Sequence, residues 1–511
     1  MPLSRDARCS CATGSGSMPV GHLRNGMGGI IGDLRILYFA LRPGRDITGA
    51  NTNSAHMKNQ QKNKVTRREF LKSASTATAV AIAMPTIIPS TALGRGGKPA
   101  PSERINIGII GCGGMGTSNL TACAREPDVV VTAACDVWDA RLDVVVERYK
   151  GTCKGYKDFR EMLQQKELDG VIIGTPPHWH ALQAIAACEA GKDIYLQKPM
   201  TMHFGESMAV RNAVNRHQRI CQVGTQIHAT ENYRRVVEYI RSGNLGSIGT
   251  VRTFNVLNQT PNGVGRVKTP TKPEDLGLDW DFWCGPAPLR PFNRTIVSDA
   301  YNHSSWMDYS GGWTPGMAPH IIDLPIWALD LGFPLNISSA GGRYILKDDG
   351  DIYDNHEVVW QYPKMTMTWM SSMTNSYGFD FHGAPKRERR LGTYFHGSNG
   401  TMFADYGMFK IVAEGEYMDG KQAPPVSIPP SPGHEREWLN CIKSRQLPSC
   451  NPNYHVRVDV PIQLSLLSLK LGRSIRFDPV KEQIVGDRQA ARMAIPKYRA
   501  PWKFPEKYLK A

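Results

Sequence analysis

The sequence predicts an α/β fold that opens, near residue 104, with a doubly wound parallel sheet. Three observations predict it: a core-forming composition, apolar runs that alternate with helix-like stretches, and a glycine-rich turn after the first apolar run. The chain has 511 residues, 41% hydrophobic and 21% charged, which excludes a disordered chain or a small disulfide scaffold. At about 100–200 residues per domain, this length allows two to four domains.

The first strand and its turn form a dinucleotide-binding pattern. Residues 104–110 are β-branched and apolar, as in a buried parallel strand, and a helix-like stretch follows to about Arg125. Between them the spacing is G-x-G-x-x-G, which permits a tight turn, close approach of the backbone to a pyrophosphate, and close helix packing. The helix N-terminus attracts phosphates. The cofactor-binding residues predicted in this turn are Gly111, Gly113, Gly114, Met115 and Gly116.

An acidic residue completes the pattern. A second apolar strand, 129–134, leads to Asp136, which lies 20 residues after Gly116. A carboxylate at this distance binds the ribose hydroxyls and repels a 2′-phosphate. We therefore expect NAD as the cofactor, in preference to NADP.

The alternation continues to residue 196. A helix at 156–165, a strand at 169–174, a helix at 179–190 and a strand at 193–196 predict right-handed crossovers. Ligands of such sheets lie beyond the carboxyl ends of the strands. Two motifs fall at these ends: Gly174-Thr175-Pro176-Pro177-His178-Trp179-His180 and Gln197-Lys198-Pro199.

The second half of the chain is less regular. The patterns predict helices at 231–241, 435–443 and 461–471, a strand at 247–257, further strands within 341–374, and a long loop at 259–291. Four tryptophans follow one another in and after this loop. We expect Trp280 and Trp283 to fill the core, whereas Trp306 and Trp313 suit either the core or stacking on a sugar ring.

These motifs resemble the Gfo/Idh/MocA superfamily, named for glucose-fructose oxidoreductase and inositol dehydrogenase. A tryptophan-rich segment at 280–288 further resembles an exported bacterial branch of it, and weaker similarity runs to about Gly472. The matching motifs keep the family's order over roughly residues 104–330: Gly111 to Gly116, Asp136, Thr175-Pro176-Pro177 with His180, Lys198-Pro199, Gly243-x-Leu245-Gly246, Gly311-Gly312 and His320-Ile321-Ile322-Asp323.

The resemblance implies an N-terminal Rossmann domain and a C-terminal α/β domain with a large open mixed or antiparallel sheet, which often mediates homo-oligomers. It implies hydride transfer between a secondary alcohol of a sugar or polyol and NAD(P). It also implies cofactor contacts at Thr175, Pro176, His180 and Lys198.

The predicted segments are a doubtful leader (1–56), a signal (57–92), a linker (93–103), the Rossmann domain (104–225), the substrate and oligomerisation domain (226–475) and a tail (476–511).

Two residues are the predicted catalytic groups. An ammonium at Lys198 would stabilise the alkoxide character that develops as hydride leaves a carbinol carbon. Pro199 fixes the backbone that follows and helps to aim this lysine. His320, with an ordinary pKa near 6.5, is the candidate proton acceptor. The alternatives are a solvated loop lysine and a satisfied core histidine.

The chain departs from the family at two positions. Gln197 stands where the family has a Glu, and Gly316 stands where an Asp shares proton transfer with the histidine four residues on. The candidates to compensate for the missing Asp are Asp308, Tyr309 and Asp323. Its loss is consistent with a different proton relay, another substrate class or an inactive site.

Three functions therefore compete. The first is an NAD-dependent sugar or polyol oxidoreductase. The second is an NAD-dependent glycoside hydrolase that uses transient oxidation and elimination. The third is a non-catalytic, NAD-bound sugar-binding protein. A metal site at His178, His180 and His203 is disfavoured, because no carboxylate or cysteine accompanies them at a recognised spacing.

The strong positive charge belongs mainly to the N-terminal segment. Of a net +15, residues 1–92 carry +8, from 12 Lys/Arg against 4 Asp/Glu. Arg67-Arg68-Glu69-Phe70-Leu71-Lys72, followed by a short apolar run and small residues, resembles a twin-arginine export signal. We expect a periplasmic or otherwise exported protein that meets the membrane only during export and binds no nucleic acid. Met57 is a suitable start for this signal.

Overall fold

A computed structural model describes residues 99–260, 262–267, 270–299, 301–376 and 390–510. The predicted leader and export signal lie outside these residues. Fifteen strands form two sheets in the described part of the chain. The strands of the first sheet are β1 (Ile105–Ile110), β2 (Val129–Cys135), β3 (Lys154–Tyr156), β4 (Gly170–Ile173), β5 (Asp193–Leu196) and β6 (Cys221–Val223).

The first sheet is parallel throughout, in the order β3-β2-β1-β4-β5-β6. Its central strands are buried on both faces, which explains their continuous apolar sequences. The strand order reverses between β1 and β4, and this switch point is where ligands of doubly wound sheets bind. The predicted Rossmann architecture is confirmed.

The helices of the described chain, besides short 3₁₀ turns, number thirteen. They are α1 (Gly114–Ala124), α2 (Asp139–Arg148), α3 (Phe159–Met162), α4 (His180–Glu189), α5 (Phe204–Arg216), α6 (Glu231–Arg241), α7 (Trp280–Cys284), α8 (Met307–Ser310), α9 (Trp313–Met317), α10 (Pro319–Leu329), α11 (His434–Ser444), α12 (Pro452–Leu471) and α13 (Arg488–Met493). None of them is long and apolar enough to span a membrane.

The second sheet has nine strands in the order β13-β12-β11-β7-β10-β9-β8-β14-β15. β7 and β10 pair in parallel and the other pairs are antiparallel, so the sheet is mixed. β9 alternates buried and exposed residues, as expected of a sheet with one covered face. The strands are β7 (Ile248–Val256), β8 (Asn336–Gly342), β9 (Asn355–Gln361), β10 (Thr366–Ser372), β11 (Leu391–Gly397), β12 (Gly400–Ala404), β13 (Phe409–Ala413), β14 (Ile475–Asp478) and β15 (Gln483–Ile484).

Helix α12 covers this sheet and is longer than the sequence pattern predicted. The expected start was Pro461, but the helix begins nine residues earlier, at Pro452. Asn451 caps it, because its side chain accepts hydrogen bonds from the backbone N–H groups of Asn453 and Tyr454. Pro461 lies inside the helix, and its carbonyl accepts a hydrogen bond from the Trp360 indole.

The chain returns to the first sheet after completing most of the second. Helix α11 packs against α1, and the Trp438 indole is fully buried beside Gly170 and Tyr195. Arg436 pairs with Asp128 at 2.7 Å. Residues from late in the sequence therefore complete the core of the Rossmann domain. The predicted tail also folds, since β15, α13 and the buried Tyr508 lie within it.

Candidate active site

A cleft lies at the carboxyl ends of the strands of the first sheet. The glycine turn, Asp136, the 174–177 turn and Lys198 line one side of it. The other side is lined by a segment that we call the strap, residues 273–299 and 301–310. The structure thus brings most of the predicted cofactor-binding residues together in one cleft.

The three motif glycines have different surroundings. A Cβ at Gly111, whose φ is +88°, would lie 2.6 Å from the backbone nitrogen of Thr175, and one at Gly116 would lie 2.4 Å from the Gly111 oxygen. A Cβ at Gly113 would meet only the Arg141 side chain, at 3.4 Å. Gly111 and Gly116 are therefore required by packing, whereas Gly113 leaves open space over the N-terminus of α1. A dinucleotide pyrophosphate fits this cradle.

Asp136 lies at the end of β2 and points back to the glycine turn. Its carboxylate accepts hydrogen bonds from the backbone N–H groups of Cys112 (2.7 Å) and Trp138 (2.9 Å). Burial raises the pKa of this carboxyl, and the guanidinium of Arg141 opposes the rise. The carboxylate is thereby fixed at the edge of the cleft, where the ribose of a bound dinucleotide would lie.

The turn after β4 contains two histidines, and both ring nitrogens of each contact backbone carbonyl oxygens. His178 contacts the oxygens of Tyr309 (3.3 Å) and Trp283 (2.9 Å). His180 contacts those of Pro199 (2.8 Å) and Thr175 (2.9 Å). His180 thus links the two strand-end loops that carry Thr175 and Lys198, and it lies behind the cleft rather than in its lining. Its contact with the nicotinamide stays a prediction. Thr175 and Pro176 line the cleft as predicted.

Lys198 is one of three basic residues that line the cleft, with Arg141 and Lys157. Its Nζ donates a hydrogen bond to the carbonyl oxygen of Gly316 at 2.8 Å, and burial lowers its pKa to about 8. Among the described residues no carboxylate lies within ion-pair distance of this ammonium. Gly316, where the family has an Asp, therefore contributes its backbone carbonyl. A Cβ at this position would meet only Trp313, at 3.6 Å.

His320 lies on α10, behind Gly316. Its Nδ1 is 3.3 Å from the Thr225 oxygen. Burial, with the nearby Lys198 ammonium, lowers its pKa to about 3, so the ring is neutral at pH 7. The structure brings the two predicted catalytic residues into one neighbourhood, although His320 does not line the cleft itself.

The three candidates for compensating Gly316 are engaged elsewhere. Asp308 pairs with Arg290 at 2.5 Å, and the Tyr309 hydroxyl lies 3.3 Å from the Cys284 sulfur. Asp323 is fully buried, pairs with His228 at 3.2 Å and accepts a hydrogen bond from Tyr454. None of the three lines the cleft. His228, Asp323 and Cys450 also form a buried group of metal-ligating side chains.

The strap is fastened to both rims of the cleft. On the β2 side, Leu278 and Trp138 form an isolated antiparallel β-bridge, and the backbone N–H of Asp139 donates a hydrogen bond to the carbonyl oxygen of Gly277 (3.0 Å). On the β4 side, the Trp179 indole donates to the Trp283 carbonyl at 2.9 Å. Trp280, Trp283 and Trp306 are buried in one aromatic cluster, as predicted for the first two. Trp283 also lines the cleft, together with Phe282, Tyr301, His303, Ser304 and Ser310.

The sequence motifs predicted no strap residue as part of the cleft lining: Trp283 was expected in the core, and His303 was not identified at all. No motif surrounds His303, and it is far in sequence from the glycine turn and from Lys198. His303 reaches the cleft because hydrogen bonds hold the strap against the loops after β2 and β4. These bonds join residues that are more than 100 positions apart in the sequence.

Comparison with known proteins agrees with this architecture. A family model described as an oxidoreductase family, NAD-binding Rossmann fold, matches residues 105–225. A second, described as the C-terminal alpha/beta domain of that family, matches residues 234–504.

Individual relatives are more distant. A protein of Shewanella baltica named glycosyl hydrolase family 109 protein is 28% identical over 204 residues, which span 36% of this chain and 44% of that protein. The aldose-aldose oxidoreductase of Caulobacter crescentus has a TM-score of 0.53 at 15% identity, over 73% of this chain and all of that chain (100%). The WlbA dehydrogenase of Chromobacterium violaceum, solved with NADH and UDP-GlcNAcA, has a TM-score of 0.54 at 17% identity, over 75% and 98%.

The two family models together cover most of the described chain, and a Rossmann fold followed by an α/β domain is the order that the structure shows. The chain belongs to the Gfo/Idh/MocA family of NAD-binding oxidoreductases.

Proposed function

We propose that this chain is an NAD-dependent oxidoreductase that transfers hydride between a secondary alcohol of a sugar or polyol and a nicotinamide cofactor. The observation that carries the proposal is the position of Lys198, an ammonium without a carboxylate partner among the described residues, in the same cleft as the glycine cradle. The sugar-acting oxidoreductases of similar fold support the substrate class.

The residues that would hold the cofactor are those of the cradle and of the β2 edge. Gly113 leaves room for the pyrophosphate, and the carboxylate of Asp136 suits the ribose hydroxyls of NAD better than a 2′-phosphate. Bound NAD supplies the hydride acceptor. The apolar faces of Phe282 and Trp283 exclude water from the cleft, which strengthens the electrostatic interactions inside it.

Lys198 orients and polarises the reacting hydroxyl. Its Nζ already donates to one oxygen, and a second N–H of the ammonium is free in geometry to donate to a substrate oxygen as negative charge develops there. The family resemblance assigns the role of proton acceptor to His320, which is neutral at pH 7 and lies outside the cleft lining. These two roles remain those expected from the family resemblance.

A second candidate is an NAD-dependent glycoside hydrolase. Relatives named as family 109 glycosyl hydrolases support it, although this chain spans less than half of their length. The anchored strap also supports it, because a cofactor covered by hydrogen-bonded backbone would exchange slowly with solution. A redox cycle that returns the hydride to the sugar needs no exchange of cofactor.

One experiment separates the candidates. The purified full chain is denatured to measure released NAD, and the native protein is then incubated with a panel of alcohols and aryl glycosides. Net NADH formation from a sugar or polyol supports the oxidoreductase. Glycoside cleavage without net NADH supports the hydrolase. Bound NAD with neither activity would support a non-catalytic binding protein and contradict both.

We also propose that the protein is exported and forms homo-oligomers. The paired arginines Arg67 and Arg68 support export, and the exposed face of the second sheet, where Val359 is 44% exposed, supports an interface between copies. Replacement of both arginines by lysine should leave the protein in the cytoplasmic fraction of expressing cells. Sedimentation of the purified protein as a monomer would contradict the second proposal.

A further inference from the structure

We propose that His303 is a catalytic residue of this chain, which accepts the proton of the reacting hydroxyl directly, in place of the carboxylate missing at position 316 and ahead of His320, which does not line the cleft. The proposal rests on the proposed function and adds to it a residue that neither the sequence motifs nor the family pattern identifies. His303 lies on the strap, in the short 3₁₀ helix Asn302–Ser305.

The site needs such a group. Position 316 offers only a carbonyl oxygen, and Lys198 already donates to it. Asp308, Tyr309 and Asp323 are held by other side chains, as described above. A carbonyl oxygen that accepts from an ammonium is a poor proton acceptor, so the cleft lacks the second acid-base group that Asp would provide.

His303 has the position and the freedom to fill this role. It lines the cleft together with Lys198 and Gly316. Within the described residues its ring has no hydrogen-bond partner, whereas both ring nitrogens of His178 and of His180 contact backbone carbonyls. Of the four histidines close to the cleft, His303 is therefore the one that both lines the cleft and keeps its ring nitrogens available there.

The turn that carries His303 is held in place. The Trp306 N–H donates to the His303 carbonyl at 3.2 Å, and Trp306 is buried in the aromatic cluster. Asp351 accepts from the Met307 N–H at 2.7 Å, and its own N–H donates to Ser305 at 2.9 Å. The C-terminal end of the turn is therefore fixed to Asp351 and to the aromatic cluster, and it holds the backbone that carries the ring at the cleft.

The ring is uncharged at pH 7. Burial, with the neighbouring charged groups, lowers the pKa of His303 to about 3, so its acceptor nitrogen is unprotonated and would hold a proton only transiently. In the oxidation step the O–H bond of the substrate would break and its proton would pass to the His303 ring, while NAD held by the glycine cradle would supply the hydride acceptor for the same carbon, whose C–O bond would become a carbonyl. The ring then releases the proton to solvent. Atoms and charge balance with NAD as the oxidant.

The test uses the full-length protein with a sugar that the wild type oxidises. We expect His303→Asn to lower kcat by about 10²–10⁴-fold with little change in KM, the range measured for removal of a general base. His303→Gln should behave in the same way. Bound NAD per protein, measured after denaturation, should stay at the wild-type level, and added imidazole should restore part of the lost rate. Asn302→Ala, a change on the same turn outside the cleft lining, should keep wild-type kinetics.

Each other outcome overturns the assignment. Unchanged kcat in both His303 variants would exclude proton transfer by this residue. A parallel loss of bound NAD would make His303 a cofactor contact, and a raised KM at constant kcat, or a loss that imidazole does not restore, would make it a binding or structural residue. If the wild type itself oxidises no sugar or polyol, the proposed function fails first, and this role of His303 fails with it.

Discussion

The two sides of the cleft are built in opposite ways. The cofactor side is assembled from one short stretch of sequence, because β1, the glycine turn, α1, β2 and Asp136 lie within residues 105–136. The substrate side is assembled from separate segments: Lys198 after β5 and His303 on the strap line it, and His320 on α10 lies outside the lining.

This difference decides what each side requires of its residues. On the cofactor side the cofactor would be contacted mainly by backbone atoms, so each glycine is required or replaceable according to the space that a Cβ would have there. On the substrate side the contacts are made by side chains whose protonation matters, and burial lowers the pKa of all three of these residues. Variants of the first side should change cofactor content, and variants of the second should change the rate at constant cofactor content.

Apart from the His303 variants, the largest effect is expected at Lys198. Lys198→Met should lower kcat by about 10²–10³-fold, because one preorganised donor to a developing oxyanion is worth that much. Bound NAD should be little changed. The matched control is Lys192→Met, since Lys192 is also a buried lysine bonded to a backbone carbonyl, that of Gln165 at 2.6 Å, but lies outside the cleft lining. Equal losses of kcat in both variants would show that removal of any buried lysine has this effect, and would contradict a specific role of Lys198.

The next effect concerns the support of α10. His228 and Asp323 form a buried ion pair, and loss of one partner from such a pair costs about 3–5 kcal/mol. We therefore expect His228→Asn to lower the melting temperature markedly at pH 6.

The pH dependence of that loss follows from the histidine. Its neighbours Cys450 and Asp323 outweigh the effect of burial and raise the pKa of His228 to about 10, above its ordinary value near 6.5. Stabilisation by the charged ring is complete below about pH 6.5 and is lost as the pH rises through 10. The difference in melting temperature between wild type and His228→Asn should shrink between pH 7 and pH 10. A constant difference would contradict the ion pair.

The glycine turn offers a matched pair on the cofactor side. Gly113→Ala has space in the folded protein and should leave stability unchanged, while NAD affinity falls by at least about tenfold, or ~1.4 kcal/mol. Gly116→Ala places a Cβ against the Gly111 oxygen and should destabilise the fold by about 1–3 kcal/mol. Calorimetric NAD titration and thermal melts measure the two effects. Unchanged NAD affinity in Gly113→Ala would contradict the dinucleotide site.

The smallest effect is a shift in the pH dependence of kcat when a carboxylate is introduced at position 316. If the protonated form of Lys198 is the active one, kcat should fall as the pH rises through its pKa of about 8. Gly316→Asp fits sterically and places a negative charge near the ammonium, so this falling limb should move up by about one pH unit. Gly316→Asn is the neutral control and should leave the limb in place. Equal shifts in both variants would show that charge is not the cause.

Many elements, most of them in the first domain, could be predicted because their signals are local. The β5 strand at 193–196 and the α6 helix at 231–241 have the predicted bounds, and the β4 and α4 bounds differ from the predicted ones by one residue at each end. Helix α12 was predicted nine residues too short, because a proline usually marks the first turn of a helix. Here Asn451 caps an earlier start, and tertiary packing on the second sheet accommodates Pro461 within the helix.

The sequence by itself determined the doubly wound sheet, the dinucleotide cradle with Asp136, and Lys198 at a strand end, because strand periodicity, turn chemistry and motif spacing act over a few residues to a few tens of residues. Only the tertiary structure decided that Trp438 completes the Rossmann core, that the Gly316 carbonyl binds Lys198, and that His303 lines the cleft. These contacts join residues separated by more than 100 positions, and their geometry depends on how the strap and the late helices pack, for which no local pattern exists.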